Sequence, residues 1–155
     1  MHYPINYKDI PDTIEFYSEI SLLHSEAESY LKSFKWCKEI KSSSLYTNLG
    51  KVFCIFLFEI ENISSVGDNF LWLIVGDIPP MYLDIFGPKT TKEAVEDYIR
   101  LAADWIIKVN SRESVDRCYP FDASPTLESA ELFAKKVLFM KRTLLDNIEN
   151  IQIKL

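Results

Sequence analysis

Only two histidines, His2 and His24, occur in a chain of 155 residues, and that scarcity removes most imidazole chemistry at the outset. Neither stands in an HExxH or H-x-E arrangement, the spacings that bring a zinc ligand and a general base into one pocket. His24 is expected as a half-exposed helix residue. Cysteine is also sparse: Cys37, Cys54 and Cys118 are odd in number and form no CxxC pair, which reads as reduced thiols and not as a disulfide framework. A reactive thiolate needs a neighbouring cation or a helix N-terminus. Cys54 falls in an apolar strand and Cys37 follows a helix C-terminus, so only Cys118, beside Arg117, is a candidate nucleophile, and it is read as a spectator. With four glycines in all, Gly76-Asp77 lacks the further glycines, the lysine and the following helix of a phosphate loop. No metal or organic cofactor is expected.

Long apolar runs are absent too. Nothing approaches the roughly 18 uncharged residues of a membrane span. The opening MHYPINYKDIPDTIEF has neither the basic start nor the apolar core of a secretory signal, so the cytoplasm is the expected compartment.

What the chain does have is apolar and aromatic bulk. Hydrophobic residues make up 48% and aromatics 14%, enough for one packed core over residues 1–155 as a single domain. The segment VFCIFLFEIE (52–61) is apolar on both side-chain parities, Phe53, Ile55 and Leu57 against Cys54, Phe56, Phe58 and Ile60, and so is FLWLIV (70–75). Strands of this kind require cover on both faces. MYLDIF (81–86) sets Met81, Leu83 and Ile85 against Tyr82, Asp84 and Phe86, and the charge marks an edge strand. A serine-rich, exposed edge strand is expected over 39–47. Turn residues at Asn48-Leu49-Gly50 and Gly67-Asp68-Asn69 then give an antiparallel meander of about four strands, approximately 39–47, 52–61, 70–76 and 81–86.

Helical periodicity flanks this sheet. Residues 1–11 read as irregular. Asp12 and Glu15 have the spacing of a capping box, and Ile20, Leu23, Ala27, Tyr30, Leu31 and Phe34 continue as an amphipathic stripe, with a break expected near Ser18–Ser21. Thr90 and Glu93 form a second box before Ala94, Val95, Tyr98, Leu101, Ala102, Trp105, Ile106 and Val109. Ser124-Pro125 is expected to open a last helix running to about Asn150. The fold class is therefore α+β: one antiparallel sheet, an N-terminal helix and two long C-terminal helices on its faces. Ser111–Ala123 is a long connection of the sort that often carries function.

Charge and surface chemistry favour binding over catalysis. Seventeen Lys and Arg against 23 Asp and Glu leave a formal charge of −6, which disfavours nucleic acid and suits plain solubility first and a basic protein partner second. The tyrosines, Tyr82 and Tyr119 among them, are not interleaved with basic residues as a stacking groove for single strands would need; surface tyrosines belong more often to protein interfaces. Glu59, Glu61, Asp77, Tyr82 and Asp84 are the expected partner-binding residues. The alternative is a small enzyme or ligand-binding domain with its site near Asp77–Asp84 and the 111–123 loop above it.

Four segments, Trp36-Cys37, Gly50-Lys51-Val52-Phe53, Leu57-Phe58-Glu59-Ile60 and Leu71-Trp72-Leu73-Ile74-Val75-Gly76-Asp77-Ile78-Pro79-Pro80-Met81-Tyr82-Leu83, resemble a group of small bacterial α+β proteins. In that group an LWxIVGDxPPxYL-like segment precedes a helix ending in tryptophan, here Trp105. The resemblance spans roughly residues 20–110 and brings no catalytic residues. Such small acidic proteins are similar to immunity proteins, which implies a cytoplasmic inhibitor that neutralises a basic toxin domain.

Overall fold

The computed structural model describes residues 2–64 and 66–155; Met1, within the expected irregular start, and Ser65, within the connection before residue 70, lie outside that description. Its centre is one antiparallel sheet in the order β1-β2-β3-β4-β5, comprising β1 (Ile5–Asn6), β2 (Cys37–Leu49), β3 (Phe53–Asn62), β4 (Phe70–Gly76) and β5 (Ile78–Asp84). The expected meander is present, with one strand more than expected. The short β1 pairs Ile5 with Leu45 and Asn6 with Ser44, so the N-terminal segment is not wholly irregular and β2 is not a plain edge. Two residues are too few to show as a period of two, which is why pattern alone did not reveal β1. The strand expected over 81–86 is shifted: β5 already begins at Ile78, taking in Pro79 and Pro80, and stops at Asp84, whose side chain accepts from the N–H groups of Phe86 and Gly87 at 2.9 and 3.2 Å, while Phe86 projects outward at 80% exposure.

Both faces of β3 and β4 are covered, as their double apolar parity requires. Phe53, Ile55, Leu57, Trp72 and Ile74 lie against helices α2 (Thr91–Asn110) and α3 (Leu127–Phe139). Cys54, Phe56, Phe58, Leu71, Leu73 and Val75 lie against α1 (Tyr17–Lys32). Polar atoms in the first layer reach backbone partners: Trp72 Nε1 donates to the Pro88 carbonyl at 2.9 Å, Tyr98 to that of Pro79 at 2.6 Å and Tyr46 to that of Lys154 at 2.9 Å. These bonds matter because a buried donor without a partner costs on the order of 1–3 kcal/mol. Gly76 marks the corner where β4 turns into β5; it has φ +153°, and a Cβ there would collide with the Val52 carbonyl oxygen. Only glycine meets both demands.

The helix starts divide into one confirmed and two corrected. Thr90 caps α2 by accepting from the Glu93 N–H at 3.2 Å. Asp12 does not cap α1: residues 12–15 turn back on themselves, with Ile14 N–H bonded to the Pro11 carbonyl and Tyr17 N–H to that of Ile14. The helix begins only after Phe16, in left-handed backbone at φ 61°, and runs through Ser18–Ser21 without a break. Likewise Thr126, not Ser124, caps α3, accepting from Ser129 N–H at 3.1 Å. The last helix also fails to reach Asn150. After α3 the chain widens into a π-helical segment, Met140–Leu144, then the single turn α4 (Leu145–Asn147). Beyond it the tail docks on the start of α2, where buried Thr91 donates to the Glu149 carbonyl at 2.6 Å and accepts from Ile151 N–H at 2.9 Å. Among the described residues no helix is long and apolar enough to cross a membrane.

Candidate functional site

A half-buried aromatic cluster gathers where the end of α1, the start of β2 and the edge strand β5 meet. Phe34 stacks on Trp36 with ring centroids 5.0 Å apart, and both meet Tyr82 edge-on at 5.2 and 5.1 Å. Tyr30 packs on Phe34 at 5.1 Å, and Tyr119 approaches Tyr82 at 5.9 Å. The local causes are simple. Tyr30 is in the last turn of α1 and Phe34 lies just past its end, where the Phe34 N–H bonds to the Leu31 carbonyl and the ring meets Tyr30 edge-on, while Tyr82 occupies the inward parity of the edge strand β5. None of the five rings is fully buried.

Tyr119 holds this corner together. Its hydroxyl lies 2.7 Å from that of Tyr30 and accepts from the Tyr82 N–H at 3.0 Å. The Ser111–Ala123 connection thus runs beside β5, anchored by buried Phe121, and satisfies an edge donor that would otherwise face solvent. Pro79 and Pro80 carry no N–H to offer. The β5 edge is therefore poorly suited to pairing with a further strand, and any recognition here runs through side chains. Burial raises the hydroxyl pKa values of Tyr30, Tyr82 and Tyr119; Asp122 adds to the effect at Tyr30 and Asp68 at Tyr82. Those two carboxylates accordingly stand within electrostatic reach of the cluster.

The expected partner-binding residues do not converge. Tyr82 is in the cluster, and Asp84 shares its side of β5 but is engaged in its turn. Glu59 and Glu61 have the parity of Phe53, Ile55 and Leu57 and so face the other side of the sheet, with Glu61 3.4 Å from Lys38. Asp77 precedes β5 and Asp84 ends it, which separates them by roughly 20 Å along an extended strand; Asp77 pairs with Lys136 at 3.3 Å. The 111–123 connection passes the middle of β5 between Asp77 and Asp84, with Tyr119 on Tyr82, and the two carboxylates stand at opposite ends of that strand. Pattern reading missed Asp68 and Asp122, because one lies in a turn and the other in a loop, where no periodicity reports facing. The Tyr30–Phe34 spacing was the available signal for the helix side.

His24 overturns its expected exposure. It is 6% exposed, with Nε2 2.7 Å from Ser43 Oγ and Nδ1 3.0 Å from a Glu28 oxygen. Ser43, expected at the surface, is 8% exposed. Serine, histidine and carboxylate in this order resemble a nucleophilic triad, but a triad needs an open face over its serine. Here Tyr7 lies flat on the imidazole at 3.5 Å, and Phe56 and Phe58 close the other sides. The arrangement is a polar clamp between α1 and β2, and burial lowers the His24 pKa against the opposing pull of Glu28.

The thiols are no better placed for chemistry. Burial drives the Cys54 pKa up to about 12. Cys118 donates to Asp104 Oδ2 at 3.3 Å; burial first and this carboxylate second raise its pKa, the opposite of the thiolate that Arg117 beside it in sequence would favour. Among the described residues no three His, Cys, Asp or Glu side chains converge as a metal would require.

No protein-family model matches the chain, and no curated protein or solved structure matches it either.

Proposed function

We propose that this protein acts by binding and not by bond-making, and that its partner is a basic protein domain, in the manner of an immunity-type inhibitor that occludes a toxin. The observation that carries the reading is the cluster of Tyr30, Phe34, Trp36, Tyr82 and Tyr119, half-buried and mutually packed, with Asp122 and Asp68 within electrostatic reach of Tyr30 and Tyr82. Rigid aromatics are the residues that most often dominate binding energy, since they bury large area for little lost side-chain freedom. The carboxylates, with a chain charge of −6, supply long-range attraction to a cationic surface and speed encounter.

Affinity capture with the purified chain, followed by stopped-flow association across a salt series, tests it. A basic protein is expected, with an on-rate that falls as salt rises. Trp36→Ala is expected to weaken the complex by about 2 kcal/mol or more. Charge reversal at Asp68 and Asp122 is expected to slow association more than the same change at Glu59 and Glu61. Recovery of a metabolite alone, together with a turnover that Asp77→Asn abolishes, would replace this reading with the enzyme.

A further inference from the structure

On the face of the sheet opposite Tyr82, a cavity of about 340 Å³ opens between the strand ends and the last helical segments. Its walls are apolar: Val52 from the turn before β3, Phe53 from the start of β3, Ile78 from the start of β5, and Phe139, Met140 and Leu144 from the end of α3 and the π-helical segment. Asp77, Lys135 and Lys136 supply its polar lining. We infer that this cavity is a binding site for a small anionic amphiphile, specifically a medium-chain carboxylate with its chain against the apolar wall and its head at the two lysines.

Three observations lead there. The first is charge: although the chain is net −6, the stretch from Leu132 to Leu145 holds Lys135, Lys136, Lys141 and Arg142 and no acidic residue. Of the cations lining the cavity, Lys136 is balanced by Asp77 at 3.3 Å, whereas Lys135 among the described residues has only Glu131 at 3.9 Å, with both side chains about three-quarters exposed. A pair so exposed is screened and marginal, which leaves Lys135 free to meet a ligand carboxylate and the Asp77–Lys136 pair to open toward it. The second is the wall itself. π-Helical turns are rare and recur at functional sites, and this one places Met140 and Leu144, each 1% exposed, behind Phe139, which stays 42% exposed at the mouth. The third is size: the volume is at the small end of the roughly 300–1,000 Å³ of ligand sites, too little for a nucleotide cofactor and suited to a single unbranched chain. The site shares no lining residue with the aromatic cluster, so it stands independently of the partner reading.

The test uses the full chain and three probes of one chain length: decanoate, decanol and decyltrimethylammonium. Decanoate is expected to saturate and to shift the backbone amide resonances of Val52, Ile78 and Phe139. Decanol should bind more weakly, and the cation should leave those resonances unmoved. Lys135→Gln with Lys136→Gln is expected to weaken decanoate about tenfold or more, the loss of charge-assisted hydrogen bonds, while leaving decanol unchanged. Val52→Trp, at a mouth position already 38% exposed, should block all binding without touching the core. Equal affinity for the three probes, shifts confined elsewhere, failure of decanoate to saturate, or an unchanged decanoate affinity in the double variant would each overturn the assignment.

Discussion

On the α2/α3 side of the sheet the large buried polar side chains are tied to backbone carbonyls, as Trp72, Tyr98 and Tyr46 illustrate. On the α1 side a single helix provides the main cover, and the N-terminal segment fills in with Tyr3, Tyr7 and Ile14 around buried Ile10. That side encloses a titratable side chain, His24, bonded to other side chains, and its margin carries the half-buried aromatics. One helix is too narrow to close a sheet of this width. The gap is completed by pieces from elsewhere in the chain, and these bring a polar clamp and incompletely buried rings. The side with less regular cover is thus the one that offers both pH sensitivity and a recognition surface.

The comparison breaks first if the two cores prove unequal. Trp72→Ala and Phe56→Ala, on opposite faces and both 0% exposed, are each expected to cost about 3–5 kcal/mol. Trp72→Ala should be the larger, since it also strips the Pro88 carbonyl of its donor. Urea titration measures both, and a loss below about 1 kcal/mol for either would show that face to be weakly packed.

His24→Ala should come next, at about 2–3 kcal/mol, because it leaves a cavity under Tyr7 and orphans Ser43 Oγ. The sign of its pH dependence follows from the lowered pKa. The unfolded chain takes up a proton near the ordinary value of about 6.5 while the folded one resists. The histidine's contribution is therefore complete above about pH 6.5 and is lost as pH falls from there toward the lower folded value. Urea midpoints between about pH 7 and 5.5 should drop faster for the parent than for His24→Gln. Matching slopes would remove His24 as the sensor.

The smallest effects sharpen the boundaries of the elements that build each side. Thr90→Ala and Thr126→Ala should each cost about 1 kcal/mol through a lost cap, while Asp12→Ala and Ser124→Ala should fall within about 0.5 kcal/mol of no change. Thermal melts of the four variants separate the caps that exist from those that spacing alone implied.

How much of this was legible in the sequence differs from element to element. The double apolar parity of Phe53–Ile60 and Phe70–Val75 was enough to place β3 and β4 at the sheet centre with helices on both faces, because burial leaves no freedom in which positions are apolar. The single charged parity at Asp84 likewise marked an edge strand, and Thr90 with Glu93 marked a helix start. Local spacing failed where a competing contact won: Pro11 and the turns after it displaced the Asp12 cap, and Thr126 took the role expected of Ser124. The site was legible only in part. Tyr82 was found as a strand residue on the wetter face, but Glu59 and Glu61 were assigned to its company by charge alone, and strand parity puts them across the sheet.

Alternation and capping are properties of neighbouring residues, so the sequence by itself determined the class of the fold, the central strands and the positions that had to be buried. The meeting of Tyr30, Trp36, Tyr82 and Tyr119, the enclosure of His24 by Ser43 and Tyr7, and the cavity between Phe53 and Leu144 join residues far apart in the chain. Only the tertiary structure decided them, because no local period records which distant side chain will complete an unfinished surface.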